Sequence, residues 1–119
     1  MESILHITTE KWWLQNRENE FLEPESLKTE GFIHYSQVEF FWRVAPMFKD
    51  IEEKLVILIV DPKVLGPNLK YEAFETEGRA YPHLYGPMNT KAIVGILDYH
   101  KDTQGNWIKN TEFSHISNI

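Results

Sequence analysis

Leu55-Val56-Ile57-Leu58-Ile59-Val60 decides how this chain folds. The run is continuously apolar, mostly β-branched and without alternation, which predicts a strand covered on both faces. It is far too short to cross a bilayer as a helix. Asp61-Pro62 ends it, and Gly66-Pro67-Asn68 marks a turn beyond. A strand buried on two sides needs neighbours, and the chain supplies them. Upstream, Ser3-Ile4-Leu5-His6-Ile7-Thr8 alternates, with Leu5 and Ile7 on one face and Ile4, His6 and Thr8 on the other. Downstream, Ala92 to Tyr99 reads as a further strand.

The segments between are shorter and more polar. Thr8 or Thr9 caps a helix through Lys11-Trp12-Trp13-Leu14, with Glu10 in its first turn. Only one of the two tryptophans can face inward, which leaves the other for a pocket or a partner surface. Phe21 to Leu27 reads as a loop around Pro24, and Gly31 opens a strand from Phe32 to Tyr35. On that strand Phe32, His34 and Ser36 share one side, and Ile33 and Tyr35 the other. Ser36-Gln37-Val38-Glu39 matches a capping box ahead of an aromatic helix, Phe40-Phe41-Trp42 to Val44, which Pro46 ends. Leu69 to Phe74 alternates as a half-exposed strand, residues 75–79 read as a polar turn, and Pro82 to Pro87 reads as a rigid loop. Gln104-Gly105-Asn106 turns into a short strand near Trp107-Ile108. The sum is a single α+β domain over residues 1–119. It has two main helices and a bent or split, mostly antiparallel sheet.

Composition narrows the function. A chain of 119 residues has room for one core. The absence of cysteine removes disulfides, thiolate metal sites and a cysteine nucleophile. A net charge of −6 argues against nucleic acid or membrane as the partner, since both are polyanions. Arginine occurs only as Arg17, Arg43 and Arg79, so bidentate phosphate clamps are few. The N-terminus shows no secretory pattern, and a cytoplasmic location is the expectation.

His6, His34 and His83 each interrupt an apolar or turn-like stretch. Imidazole near neutral pH serves proton transfer, ligand hydrogen bonding or metal ligation. Each has a plainer reading. His6 and His34 would be satisfied core histidines, and His83 part of a turn built by Pro82 and Gly86. The capping box alone accounts for Ser36, and an outward strand position accounts for Glu72. A metal site has no support from spacing, since no close pair of histidines occurs on a helix. Walker, dinucleotide-binding and serine-hydrolase motifs are absent.

Several segments taken together carry a resemblance. They are Ile4-Leu5-His6-Ile7-Thr8 followed by a tryptophan, Ser26-Leu27 before Glu30-Gly31-Phe32-Ile33-His34-Tyr35-Ser36, the strand ending at Asp61, Leu69-Lys70-Tyr71-Glu72, and Pro82-His83-Leu84-Tyr85-Gly86-Pro87. In order and spacing the chain resembles the bacterial "domain of unknown function 952" family over about residues 3–100. The resemblance implies a fold similar to ADP-ribosyltransferases and RNA 2′-phosphotransferases, which bind NAD or ADP-ribose-like groups between two small sheets. It places His6 where that wider fold contacts ligand, His34 and Ser36 on the next core strand, and Glu72 nearest the place of a catalytic glutamate. His83 and Tyr85 belong to the family's own motif.

The expectation is therefore a histidine-lined pocket for a small molecule. His34, His83 and Glu72 would be catalytic, and His6, Ser36 and Tyr85 ligand-binding. NAD or ADP-ribose is the implied ligand, and glycosyl or phosphoryl transfer or hydrolysis the implied reaction, with phosphate at the helix start beside Ser36. The alternatives are a non-catalytic sensor with the same pocket and a homodimeric protein-interaction domain.

Overall fold

The computed structural model describes residues 2–73 and 80–115. In chain order its elements are β1 (Ile4–Thr9), α1 (Glu10–Asn16), β2 (Phe21–Leu22), α2 (Glu25–Thr29), β3 (Ile33–His34), β4 (Ser36–Gln37), α3 (Phe41–Val44), β5 (Leu55–Val60), α4 (Pro62–Leu65), β6 (Leu69–Glu72), β7 (Tyr81–Leu84), β8 (Met88–Asn89) and β9 (Ile93–Asp98). Short 3-10 turns, Val38–Phe40 and Ala45–Phe48, flank α3.

The apolar hexapeptide is β5, and it lies inside a four-stranded sheet of order β4-β1-β5-β9. β1 pairs with it in unbroken register from Ile4↔Val60 to Thr9↔Leu55. Both faces of β5 are covered, as its lack of alternation predicts. Val56, Leu58 and Val60 pack with Ile4, Trp13, Ile33 and Tyr35. Leu55 and Ile57 pack on the other side with Leu5, Ile7, Phe41, Tyr99 and Phe113. Each such side chain contributes about 1.5–3 kcal/mol by leaving water. A second sheet of order β3-β7-β6 and a two-stranded pair β2-β8 complete the architecture. All the pairings described are antiparallel. The fold is α+β with a split sheet.

Local chemistry explains the helix entry after β1. Thr9 is the N-cap of α1, and its hydroxyl accepts from the Trp12 amide at 3.1 Å. Trp13 is buried, and Trp12 is half-buried against the same core cluster. Both tryptophans thus pack on the core.

Four expectations need correction. Phe21 to Leu27 is not a loop: it holds β2 and the start of α2, with Pro24 in the cap position where a missing amide costs nothing. The Ser36 capping box does not form. Ser36 pairs with Leu5 in β4, and its hydroxyl donates to the Gln37 carbonyl at 2.8 Å, so the helical run starts later and without a side-chain cap. The two main helices are reduced to short pieces: α1 has seven residues, and α3 has four between its 3-10 turns. The loop expected from Pro82 to Pro87 is shorter: Pro82 to Leu84 belong to β7, the central strand of its sheet, and only Tyr85 to Pro87 form the turn. Proline lacks a donor yet keeps its acceptor, and the Pro82 carbonyl accepts from the Tyr35 amide at 3.0 Å. The polar turn read at residues 75–79, and Phe74 before it, lie outside the described residues.

Candidate functional site

The two larger sheets meet at Tyr35. The chain leaves β3 at His34 and enters β4 at Ser36, so one residue carries it from one sheet to the other. A cavity of about 580 Å³ opens at this seam. β1 supplies Leu5 to Thr8, the crossover supplies His34, Tyr35 and Ser36, and β7 supplies Tyr81 and His83. A further wall comes from α3 and the turn after it, with Phe41, Arg43, Val44, Met47 and Phe48, and Pro24 and Ser26 also border the space. Its size falls in the ordinary range for small-molecule sites.

His6, His34, Ser36 and His83, from four separate strands, all border this one cavity. The alternation expected from Phe32 to Tyr35 is seen: Ile33 and Tyr35 pack into the same core cluster, while the Phe32 and His34 rings touch on the other side. His34, Tyr35 and Ser36 all border the cavity. Glu72 and Tyr85 are not among the lining residues. They stand behind His83: its Nδ1 lies 3.0 Å from Glu72 Oε1, and the Tyr85 hydroxyl donates to the same oxygen at 2.6 Å.

The three imidazoles differ in setting. His6 is buried, and its Nδ1 donates to the His34 carbonyl at 2.7 Å, which ties β1 to β3. Burial holds its pKa below the usual 6.5, so the ring is neutral at pH 7 and its other nitrogen carries a lone pair. His34 has a half-exposed side chain, with Nε2 at 2.9 Å from Glu30 Oε2. His83 is 4% exposed in its side chain. The His34 and His83 rings lie edge to face, 5.4 Å apart. Phe32 touches both, at 4.7 and 4.4 Å between centroids, and also Tyr85 at 5.3 Å. Glu72 is held below the ordinary carboxylate range, first by the Tyr85 hydroxyl and then by His83. In turn the anion pushes the Tyr85 phenol up.

This arrangement can move a proton. A carboxylate facing one ring nitrogen fixes the tautomer and the orientation of the ring. Glu30 does so for His34 and Glu72 for His83. Among the described residues no group of three His, Asp or Glu side chains is placed to hold a metal ion.

Sequence reading missed Arg43, Tyr35 and Phe32 as site residues. Arg43 is one of the chain's few arginines, and it falls shortly after Ser36, which was a usable signal. Tyr35 packs with Ile33 in the core, on the face opposite His34 as expected, yet it also borders the cavity, 5.5 Å from the His6 ring, and its buried hydroxyl has no hydrogen-bond partner among the described residues. Burial raises its pKa.

A search of the curated proteins finds none that matches. Among solved structures, the crystal structure of protein CC0527 from Caulobacter crescentus superposes with a TM-score of 0.82 at 26% identity, covering 94% of this chain and 98% of that one. A doubly substituted form gives the same figures. The solution structure of the same protein gives a TM-score of 0.72 at 29% identity, covering 89% and 91%. These matches agree with the antiparallel α+β architecture, and the ADP-ribosyltransferase likeness does not follow from them. Residues 7–96 match the family described as "Protein of unknown function (DUF952)". With that match spanning most of its length, the chain belongs to the DUF952 family.

Proposed function

We propose that this domain binds a small molecule in the cavity at the sheet seam and carries the parts for proton transfer there. The observation that supports this most is the meeting of His6, His34, Ser36 and His83 on one cavity, with a carboxylate on each of two imidazoles. An ordinary core would not gather so many polar groups at a space of that size. His34 and His83 are the acid–base pair, because each has a carboxylate partner and their rings are adjacent. His6 is a ligand acceptor and a tie between sheets, since burial keeps it neutral. Glu72 and Tyr85 orient His83 rather than touch ligand.

The ligand class we favour is a nucleotide of the NAD or ADP-ribose type, acted on by glycosyl or phosphoryl transfer. It rests on the likeness of the family to ADP-ribosyltransferases. The short 3-10 entry after Ser36 has no cap or length to serve as a phosphate site by itself, so phosphate recognition falls to side chains. A thermal-shift panel of NAD, ADP-ribose and simple nucleotides tests the class. A ligand at 100 times its dissociation constant should stabilise by about 2.7 kcal/mol. His34→Ala should then keep fold and binding but lose turnover. If that variant leaves product formation intact, the domain is not the enzyme described; binding without any product marks it as a sensor.

A further inference from the structure

The four-stranded sheet has a gap in its ladder where the cavity lies. β1 runs from Ile4 to Thr9, but β4 covers one of its sides only at Ile4 and Leu5, through Gln37 and Ser36. Continued along the chain, that register would seat His34 opposite Ile7. His34 is instead paired with His83 in the other sheet, and its carbonyl accepts from His6 Nδ1. Leu5, His6, Ile7 and Thr8 all border the cavity. Successive strand residues point to opposite faces, so a space that touches all of them lies along the strand's edge.

The ladder fixes where the backbone groups on that edge point. The Glu10 amide donates to the Lys54 carbonyl at 2.8 Å, just past the Thr9↔Leu55 pair. Hydrogen-bonded pairs alternate in an antiparallel ladder, so Thr8, His6 and Ile4 turn their N–H and C=O groups to β5, and Ile7 and Leu5 turn theirs away. The far side of β5 agrees: the Leu55 carbonyl accepts from the Tyr99 amide at 3.1 Å, so Leu55, Ile57 and Ile59 serve β9. Leu5 meets Ser36. Ile7 turns its N–H and C=O to the cavity side, where no strand stands opposite it among the described residues. Backbone groups held away from water call for a partner.

We propose that the cavity binds one residue of an extended peptide or of an N-acylated amino-acid amide, seated opposite Ile7 as the missing rung of the ladder. The ligand N–H donates to the Ile7 carbonyl, and the ligand carbonyl accepts from the Ile7 N–H, the exchange that an antiparallel pair makes. Residues directly opposite share a face, so the bound side chain lies on the side of Ile7, which packs with Phe41. Phe41, Val44 and Phe48 border the cavity, and the side chain that fits them is apolar. This rests on the reading of the cavity as a ligand site and gives its ligand an amide edge.

Three compounds added to the full chain test it: N-acetyl-L-leucine N-methylamide, its ester analogue with the leucine N–H replaced by oxygen, and N-acetyl-L-glutamine N-methylamide. The leucine amide should bind roughly tenfold more tightly than the ester analogue, which leaves the Ile7 carbonyl unpaired. It should also bind more tightly than the glutamine amide. Amide hydrogen exchange followed by NMR reads the rung itself. In the free protein the Ile7 N–H should exchange much faster than that of Thr8, and saturating leucine amide should slow it. Ile7→Pro removes an N–H that faces the cavity and none that faces β5, so it should fold and bind the leucine amide more weakly. Should it unfold, exchange on the native protein still decides. An Ile7 N–H as protected as that of Thr8 before ligand is added, equal binding of amide and ester, or unchanged binding by folded Ile7→Pro overturns the inference while the cavity remains a ligand site. Glutamine amide binding as tightly as leucine amide overturns the apolar seat. If no amide binds but NAD or ADP-ribose does, the inference fails and the nucleotide reading stands. If no compound binds the native protein, both fall.

Discussion

The four-stranded and three-stranded sheets use the same residue types to different ends. β1, β5 and β9 each run six residues, while β3 has two and β6 and β7 have four. The long strands bury Leu5, Ile57, Leu58 and Val60 almost completely. In the short sheet Lys70, Tyr71 and His34 are exposed. Histidine shows the contrast best. On the long sheet, His6 is desolvated, stays neutral and spends a nitrogen on a backbone carbonyl. On the short sheet, His34 and His83 each face a carboxylate. The long sheet desolvates its histidine, and the short sheet pairs each of its two with a carboxylate.

That division can be broken by substitution. The largest effect should come from Leu58→Ala, a fully buried position on the long sheet. Denaturant titration should show a loss of about 2–5 kcal/mol, whereas His34→Ala should stay within about 1 kcal/mol. Comparable losses would mean that the short sheet carries as much of the fold.

The pH dependence of stability comes next. The pKa of His6 is lowered in the folded state, so as pH falls through the ordinary imidazole value of 6.5 the unfolded chain takes up a proton that the native ring refuses. Stability should therefore fall with pH below that value, with a slope of at most about 1.4 kcal/mol per pH unit for one proton. His6→Gln should flatten this part of the curve. An unchanged slope would place the responsible group elsewhere.

The smallest effect is expected for Tyr35→Phe. Its hydroxyl has no partner among the described residues, so removal should leave the unliganded protein unchanged or stabilise it by up to about 1 kcal/mol. A clear loss of stability without ligand would show that the hydroxyl is already bonded in the native state.

Much of the long sheet was legible in the sequence. β5 announces itself by composition, β1 by alternation, and Thr9 caps where a threonine should. The short sheet was legible only in part: the strands read from Leu69 and from Phe32 hold β6 and β3, but β7 was taken for a loop. Pro82 misled in particular: a proline normally demotes a strand, yet here its carbonyl is the group that matters to the neighbouring chain. Ser36 misled in the opposite way. Its capping pattern is satisfied locally in sequence, but pairing with Leu5 overrides it. His6, His34, Ser36 and His83 could be named because each is a polar choice in an apolar or turn-like setting. Arg43 was overlooked although arginine is scarce in this chain, and Tyr35 could not be named, because a tyrosine beside a histidine looks unremarkable until the seam brings it to the cavity.

The one-residue passage from β3 to β4 has a consequence for how the family can change. Successive side chains on a strand normally answer to different environments, so neighbours along the chain vary independently. Here His34, Tyr35 and Ser36 all border one cavity at the seam. A single inserted residue would turn all of them at once and shift β4 out of step with β1. Lengthening is thus barred at this point of the fold.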